Sequence, residues 1–140
     1  MTRETWLDHL AKVPMFSKCS TKELQHVAAA TTPITLPPGR ALVREGEYGH
    51  DAFVIVEGTA AVERDHLMLA TLGPGDVVGE LAPLTAGPRT ATVTAISDLQ
   101  VLVMDRREFN GLLDDIPGFA IQVLHSLAER MRDLDEKAYG

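Results

Sequence analysis

The sequence has almost no cysteine. Cys19 is the only one in 140 residues, so no disulfide framework can form within the chain. A lone thiol suits a reducing cytoplasm, and Cys19 reads as a small residue in a loop between helices rather than a redox centre. Long apolar runs are also missing: mean hydropathy is +0.01, and no stretch approaches the length of a membrane span. The opening residues, Met1 to Trp6, hold no apolar core of the kind a secretory signal needs. Basic surface is scarce. Net charge is -7, and Arg106-Arg107 and Arg130/Arg132 lie among acids, so nucleic acid and anionic membrane are not expected partners. A small anion remains possible, because it needs only one local positive pocket. The five histidines, His9, His26, His50, His66 and His125, are scattered, with no His-x-His pair and no i, i+4 pair. That argues against a metalloenzyme of cupin type, and no metal or cofactor is expected. No internal repeat, low-complexity tract or linker is visible, so residues 1–140 read as a single domain.

What is present falls into three zones: helical 1–32, β-rich 34–105 and helical 106–138. Trp6, Leu7, Leu10 and Val13 recur at helical spacing until Pro14. Ser20 followed by Glu23 is a capping box, and it opens a helix with Leu24, Val27 and Ala28 before Pro33. Trp6 and Phe16 read as anchors of this helical layer. From Ile34 onward, short Val/Ile/Leu-rich runs alternate with Gly, Pro and Asp turns, the pattern of an all-β sandwich or barrel. Strands are expected at Ala41–Arg44, Ala52–Val56, Thr59–Arg64, Leu67–Leu72, Thr90–Thr94 and Leu99–Met104. Phe53-Val54-Ile55-Val56 is apolar on both faces, so it should be a central strand. Arg107–Leu113 predicts a short helix, and Pro117 opens a long one to about Lys137. In that helix Ala120, Leu124, Leu127, Met131 and Leu134 keep 4, 3, 4, 3 spacing. This fits a self-association seam, and equally a stripe packed on the chain's own core.

The segment from Val78 to Val93 carries the chemistry. A strand ends at Gly79 and a helical turn starts at Glu80-Leu81. Free backbone N–H groups at such a start attract anions, and Gly79 lets the backbone come close to a ligand. Arg89 follows just before an alternating strand, and its guanidinium can clamp a phosphate through two parallel bonds. Glu80 would repel the phosphate but can accept a hydrogen bond from a sugar hydroxyl. Together they describe a ribose phosphate. The competing reading pairs Arg89 with Glu80 as a surface salt bridge of about 0–1 kcal/mol and no function.

The sequence resembles the cyclic-nucleotide-binding domain family of the catabolite-activator and protein kinase A regulatory-subunit type. One signature is Leu42-Val43-x-x-Gly46-Glu47-x-Gly49, with an apolar run to Ile55 and then Gly58. Leu72-Gly73-Pro74-Gly75-Asp76 follows. The second signature is Val78-Gly79-Glu80-x-Ala82 with Arg89-Thr90-Ala91-x-Val93-x-Ala95. The resemblance implies a mainly β fold, a β-roll with N-terminal helices and a long C-terminal lid helix. It implies a sensor that binds a cyclic nucleoside monophosphate and catalyses nothing. At the matching positions Glu80 would hold the ribose 2′-hydroxyl and Arg89 the exocyclic phosphate oxygens. Backbone N–H groups of Leu81, Ala82 and Ala91 would complete the cradle, and Thr90 would touch purine or phosphate. The helix Pro117–Lys137 would cover the base, and in many relatives it joins two subunits. Cyclic AMP is favoured over cyclic GMP on family grounds, although the Thr90 hydroxyl could also meet the 2-amino group of guanine. Two positions depart from the pattern. Ala52 replaces a larger apolar residue. Pro83 replaces an aliphatic one that links the pocket to the moving helices, which keeps open a degenerate interaction module without ligand. The chain could also be the sensor part of a longer transcription regulator, and the effector protein it would act through is unnamed by the sequence.

Overall fold

A computed structural model describes residues 3–13, 16–79, 87–121, 123–125, 127–128 and 131–132, with backbone alone at 3–6. The N-terminal layer holds α1 (Arg3–Ala11) and α2 (Thr21–Ala29). The capping box forms as its sequence requires: the Glu23 N–H donates to Ser20 Oγ at 3.1 Å, and the Ser20 N–H donates to Glu23 Oε1 at 2.9 Å. Cys19 lies in the connection just before α2, half-buried against the helical core. Burial, and then the Glu23 carboxylate, push its thiol pKa up, so it is a poor nucleophile at neutral pH. Phe16 is fully buried as expected; the Trp6 side chain lies outside the described residues.

Eight strands follow among the described residues: β1 (Thr32–Leu36), β2 (Ala41–Val43), β3 (Ala52–Glu57), β4 (Ala60–Arg64), β5 (Leu67–Leu72), β6 (Val77–Val78), β7 (Thr92–Ala95) and β8 (Leu99–Met104). They form two antiparallel four-stranded sheets, ordered β1-β8-β3-β6 and β2-β7-β4-β5. The sheets enclose an interior core that includes Phe53, Ile55, Val78, Leu99 and Val101 from the first and Ala60, Val93 and Ala95 from the second. The other face of the first sheet presents Ala52, Val54, Val56, Val77, Leu102 and Met104 to the helices. The fold is thus mainly β, a β-roll with a helical layer on one side. Strand β3 is the central wall that its two-sided apolar pattern predicts, alternating between the two cores residue by residue.

The observed strands depart from the expected ones at β1, β6 and β7. The sequence reading lacks β1, where the β region begins at Thr32 rather than Ile34, and the two-residue β6. β1 is an edge strand with only Leu36 buried, a position where Pro33 is tolerated. β7 covers Thr92–Ala95 rather than Thr90–Thr94, because the β4–β7 ladder ends at Glu63↔Thr92 and the Thr90 carbonyl accepts from the Arg64 side chain instead.

The C-terminal region also differs from the expected one. Helix α3 (Arg106–Asp115) starts on a second capping box, Asp105 with Glu108, that the sequence reading lacks. Pro117 does not open the next helix. Gly118 takes φ +82 in a turn, and helical backbone starts at Phe119, recurring at 123–125, 127–128 and 131–132. Residues 133–137, the remainder of the expected helix, lie outside the described residues. Phe119 stacks on Phe16 at 5.4 Å and meets Phe109 edge-on at 5.6 Å, which docks this segment on the helical core.

Candidate functional site

Arg89 is fixed first through its backbone. Its N–H donates to the Glu47 carbonyl at 2.8 Å, and its carbonyl accepts from the Gly46 N–H at 2.9 Å. These two bonds join the two sequence signatures, more than forty positions apart along the chain (89 − 46 = 43). The side chain then runs to Phe53, a residue of the interior core. Its guanidinium carbon stands 5.7 Å from the centre of the Phe53 ring, within cation–π range.

Two glycines make room for it. A Cβ at Gly49 would stand 2.9 Å from Nη2, and a Cβ at Gly79 would run into Nη1. Gly79 also has φ +74, a backbone state that side chains disfavour. Guanidinium, Phe53 and the two glycines therefore form one recess.

The recess is polar and incomplete. Arg89 Nη1 is buried and, among the described residues, has no hydrogen-bond partner. A buried donor left unmade costs about 1–3 kcal/mol, and more when charged. Burial lowers the Arg89 pKa, and the Asp51 carboxylate partly offsets this. An anion beside the guanidinium would supply the missing acceptor, and its charge would offset the desolvation. A phosphate oxygen fits this chemistry well, being charged and able to take parallel N–H bonds.

The other expected site residues are placed as follows. Gly79 and Arg89 are brought together. Thr90 and Ala91 follow directly, with Thr90 exposed and Ala91 half-buried. Glu80, Leu81 and Ala82, and also Pro83, lie outside the described residues. Phe53 and Asp51 were not singled out by sequence reasoning, nor was any role for Gly49. The alternation of β3 is a usable signal for Phe53, since it shares its face with Ile55, away from the helices. A separate cavity of about 400 Å³ is lined by Glu45, Glu63, Asp65, His66 and Thr92. Its carboxylates would repel phosphate. Among the described residues no His/Cys/Asp/Glu group is placed to hold a metal ion, and no helix is long and apolar enough to cross a membrane.

The site is thus an arginine guanidinium packed against Phe53 and two glycines of a two-sheet β-roll. Residues 33–115 match the model of the cyclic nucleotide-binding domain, and the chain belongs to that family. It is 29% identical over 128 residues to a CRP-like cAMP-activated global transcriptional regulator of Mycobacterium tuberculosis, covering 88% of this chain and 57% of that one. The catabolite activator protein of Thermus thermophilus superposes with a TM-score of 0.83 at 27% identity, over 89% of this chain and 61% of that one. The regulatory domain of Toxoplasma gondii protein kinase A, solved with cAMP, gives 0.80 at 25% identity, over 92% and 50%. The chain spans between 25% and 57% of the length of the curated relatives it matches.

Proposed function

We propose that the chain is a sensor of a cyclic nucleoside monophosphate, cyclic AMP in preference to cyclic GMP, and catalyses no reaction. The observation that carries this is Arg89 Nη1, a buried cationic donor that has no hydrogen-bond partner among the described residues and lies against Gly79. Arg89 holds the phosphate. Glu80 takes the ribose 2′-hydroxyl, the N–H groups of Leu81, Ala82 and Ala91 complete the cradle, and Thr90 borders the base. The preference for cyclic AMP draws on the nucleotide named for the mycobacterial and Toxoplasma relatives. No cofactor or metal takes part, and neither nucleic acid nor membrane is a partner of this chain alone. The cytoplasm, where cyclic nucleotides are signals, is its place of action.

The output is a population shift. The C-terminal helix closes over the purine, and the nucleotide moves that equilibrium only by its differential affinity for the two arrangements. The signal then passes to an effector protein or through a homodimer. In the helical segment Phe119 and Val123 are buried and Leu127 packs inward, whereas Ile121, Leu124 and Met131 are exposed, which supports a second copy on that outer face.

Titration calorimetry with each nucleotide, on the wild-type chain and Arg89→Ala, tests this. Removing a buried charge-assisted contact costs about 2–5 kcal/mol, a loss of roughly thirtyfold to several thousandfold in affinity. A loss under about threefold in a folded variant would sink the role of Arg89. A folded wild-type chain that binds neither nucleotide is a degenerate interaction module, and Pro83→Leu is then the first reversion to make.

A further inference from the structure

The Arg89–Thr92 segment is clasped from both sides by residues that do not line the recess. The β4–β7 ladder ends at the pair Glu63↔Thr92. Beyond it, Arg64 Nε donates to the Thr90 carbonyl at 2.8 Å. On the opposite flank the Glu45 N–H donates to Thr92 Oγ1 at 2.9 Å. A third bond joins the flanks, from the Asp65 N–H to Glu45 Oε1 at 3.1 Å. Loop, segment and hairpin turn are thus closed into one ring. The turn itself has a defined shape, since Asp65 and His66 take φ 52 and 65, the left-handed pair of a two-residue hairpin.

We infer that Arg64 is a positioning residue for the ligand: by holding the Thr90 carbonyl, it aims the Ala91 N–H. The inference rests on the proposed nucleotide site. The Thr90 carbonyl and the Ala91 N–H belong to one planar trans peptide, so they point in opposite directions. Pinning the carbonyl toward Arg64 fixes the direction of the N–H on the other side. The bond also acts electronically, because a cationic donor on the carbonyl polarises the amide and strengthens its N–H as a donor. Arg64 is half-buried, and its aliphatic stem comes from the end of β4, so the donor arrives on a rigid strand. Glu45 acts with it, since its backbone and its carboxylate hold the two sides of the ring.

The test compares wild type with Arg64→Met, which keeps the stem and removes the donor. Two readouts are needed: the amide nitrogen shift of Ala91 in the ligand-free protein, and the affinity for cyclic AMP by calorimetry. Arg64→Met is expected to move the Ala91 resonance, leave those of β8 in place, and weaken binding about two- to tenfold, as befits one lost hydrogen bond. Weaker binding with an unmoved Ala91 resonance means that Arg64 meets the ligand directly, and it overturns the positioning role. A moved resonance with unchanged affinity overturns it as well. A wild-type chain that binds neither cyclic AMP nor cyclic GMP removes the proposed function and this role with it. That outcome is distinct from a wild type that binds and an Arg64→Met that binds equally, which removes the positioning role alone.

Discussion

At Gly79 a hydrogen atom stands where a methyl group would displace the Arg89 guanidinium. Gly79→Ala is expected to act twice. Forcing a side chain into the left-handed region costs about 1–2 kcal/mol of stability. Pushing Nη1 aside should weaken cyclic nucleotide binding at least about tenfold, a second effect of about 1.4 kcal/mol. Urea denaturation and calorimetry on the same preparation separate the two, and a variant that binds like wild type shows that the guanidinium has room to move. Gly79 and Arg89 were legible in the sequence because residue type and spacing both point to an anion. Phe53 and Gly49 were not. Their part in the recess depends on which face of β3 looks inward and on a pairing between Arg89 and Gly46–Glu47 that crosses the fold. Arg64 gave no signal at all, because a long side chain at a strand end is usually a solvated charge.

Among the elements, those with a local chemical signature were the readable ones. The Ser20–Glu23 box placed α2, and the two-sided apolar run placed β3. β8 and β5 were read to the residue, since mostly apolar six-residue runs bounded by turn residues leave little choice. β1 was missed because Thr32–Leu36 has one buried residue and contains the proline that reads as a helix stop. The start of the C-terminal helix was misplaced for a related reason. Pro117 is acceptable at a helix start, but Gly118 in the left-handed region delays that start by one turn residue more. What secures the segment is Phe119, 1% exposed between Phe16 and Phe109. Phe119→Ala should therefore cost about 3–5 kcal/mol, read from the urea midpoint at constant m-value. A cost below about 1 kcal/mol would mean that the remaining two rings collapse into the space.

For the whole molecule, the exposed stripe Ile121, Leu124 and Met131 sets an expectation about assembly. Leu124 and Met131 are seven residues apart, one heptad, and both are exposed beside the face that buries Val123. Leu124→Glu combined with Met131→Glu should convert a dimer into a folded monomer by sedimentation equilibrium. A wild-type chain that is monomeric at high micromolar concentration removes the homodimer. The sheet order has a further consequence, for synthesis rather than for signalling. β8 lies between β1 and β3, and pairs with both. The wall shared by the two cores therefore has a gap until Leu99–Met104 emerge from the ribosome. At about 5–20 residues per second, the roughly 70 residues from β1 to the end of β8 take several seconds to make. During that interval the nascent chain carries Phe53 to Val56 with a long unpaired edge, the kind of surface that recruits chaperones. Closure of the roll is a late event that one six-residue strand commits, after β1 to β7 have all been made and are waiting for it.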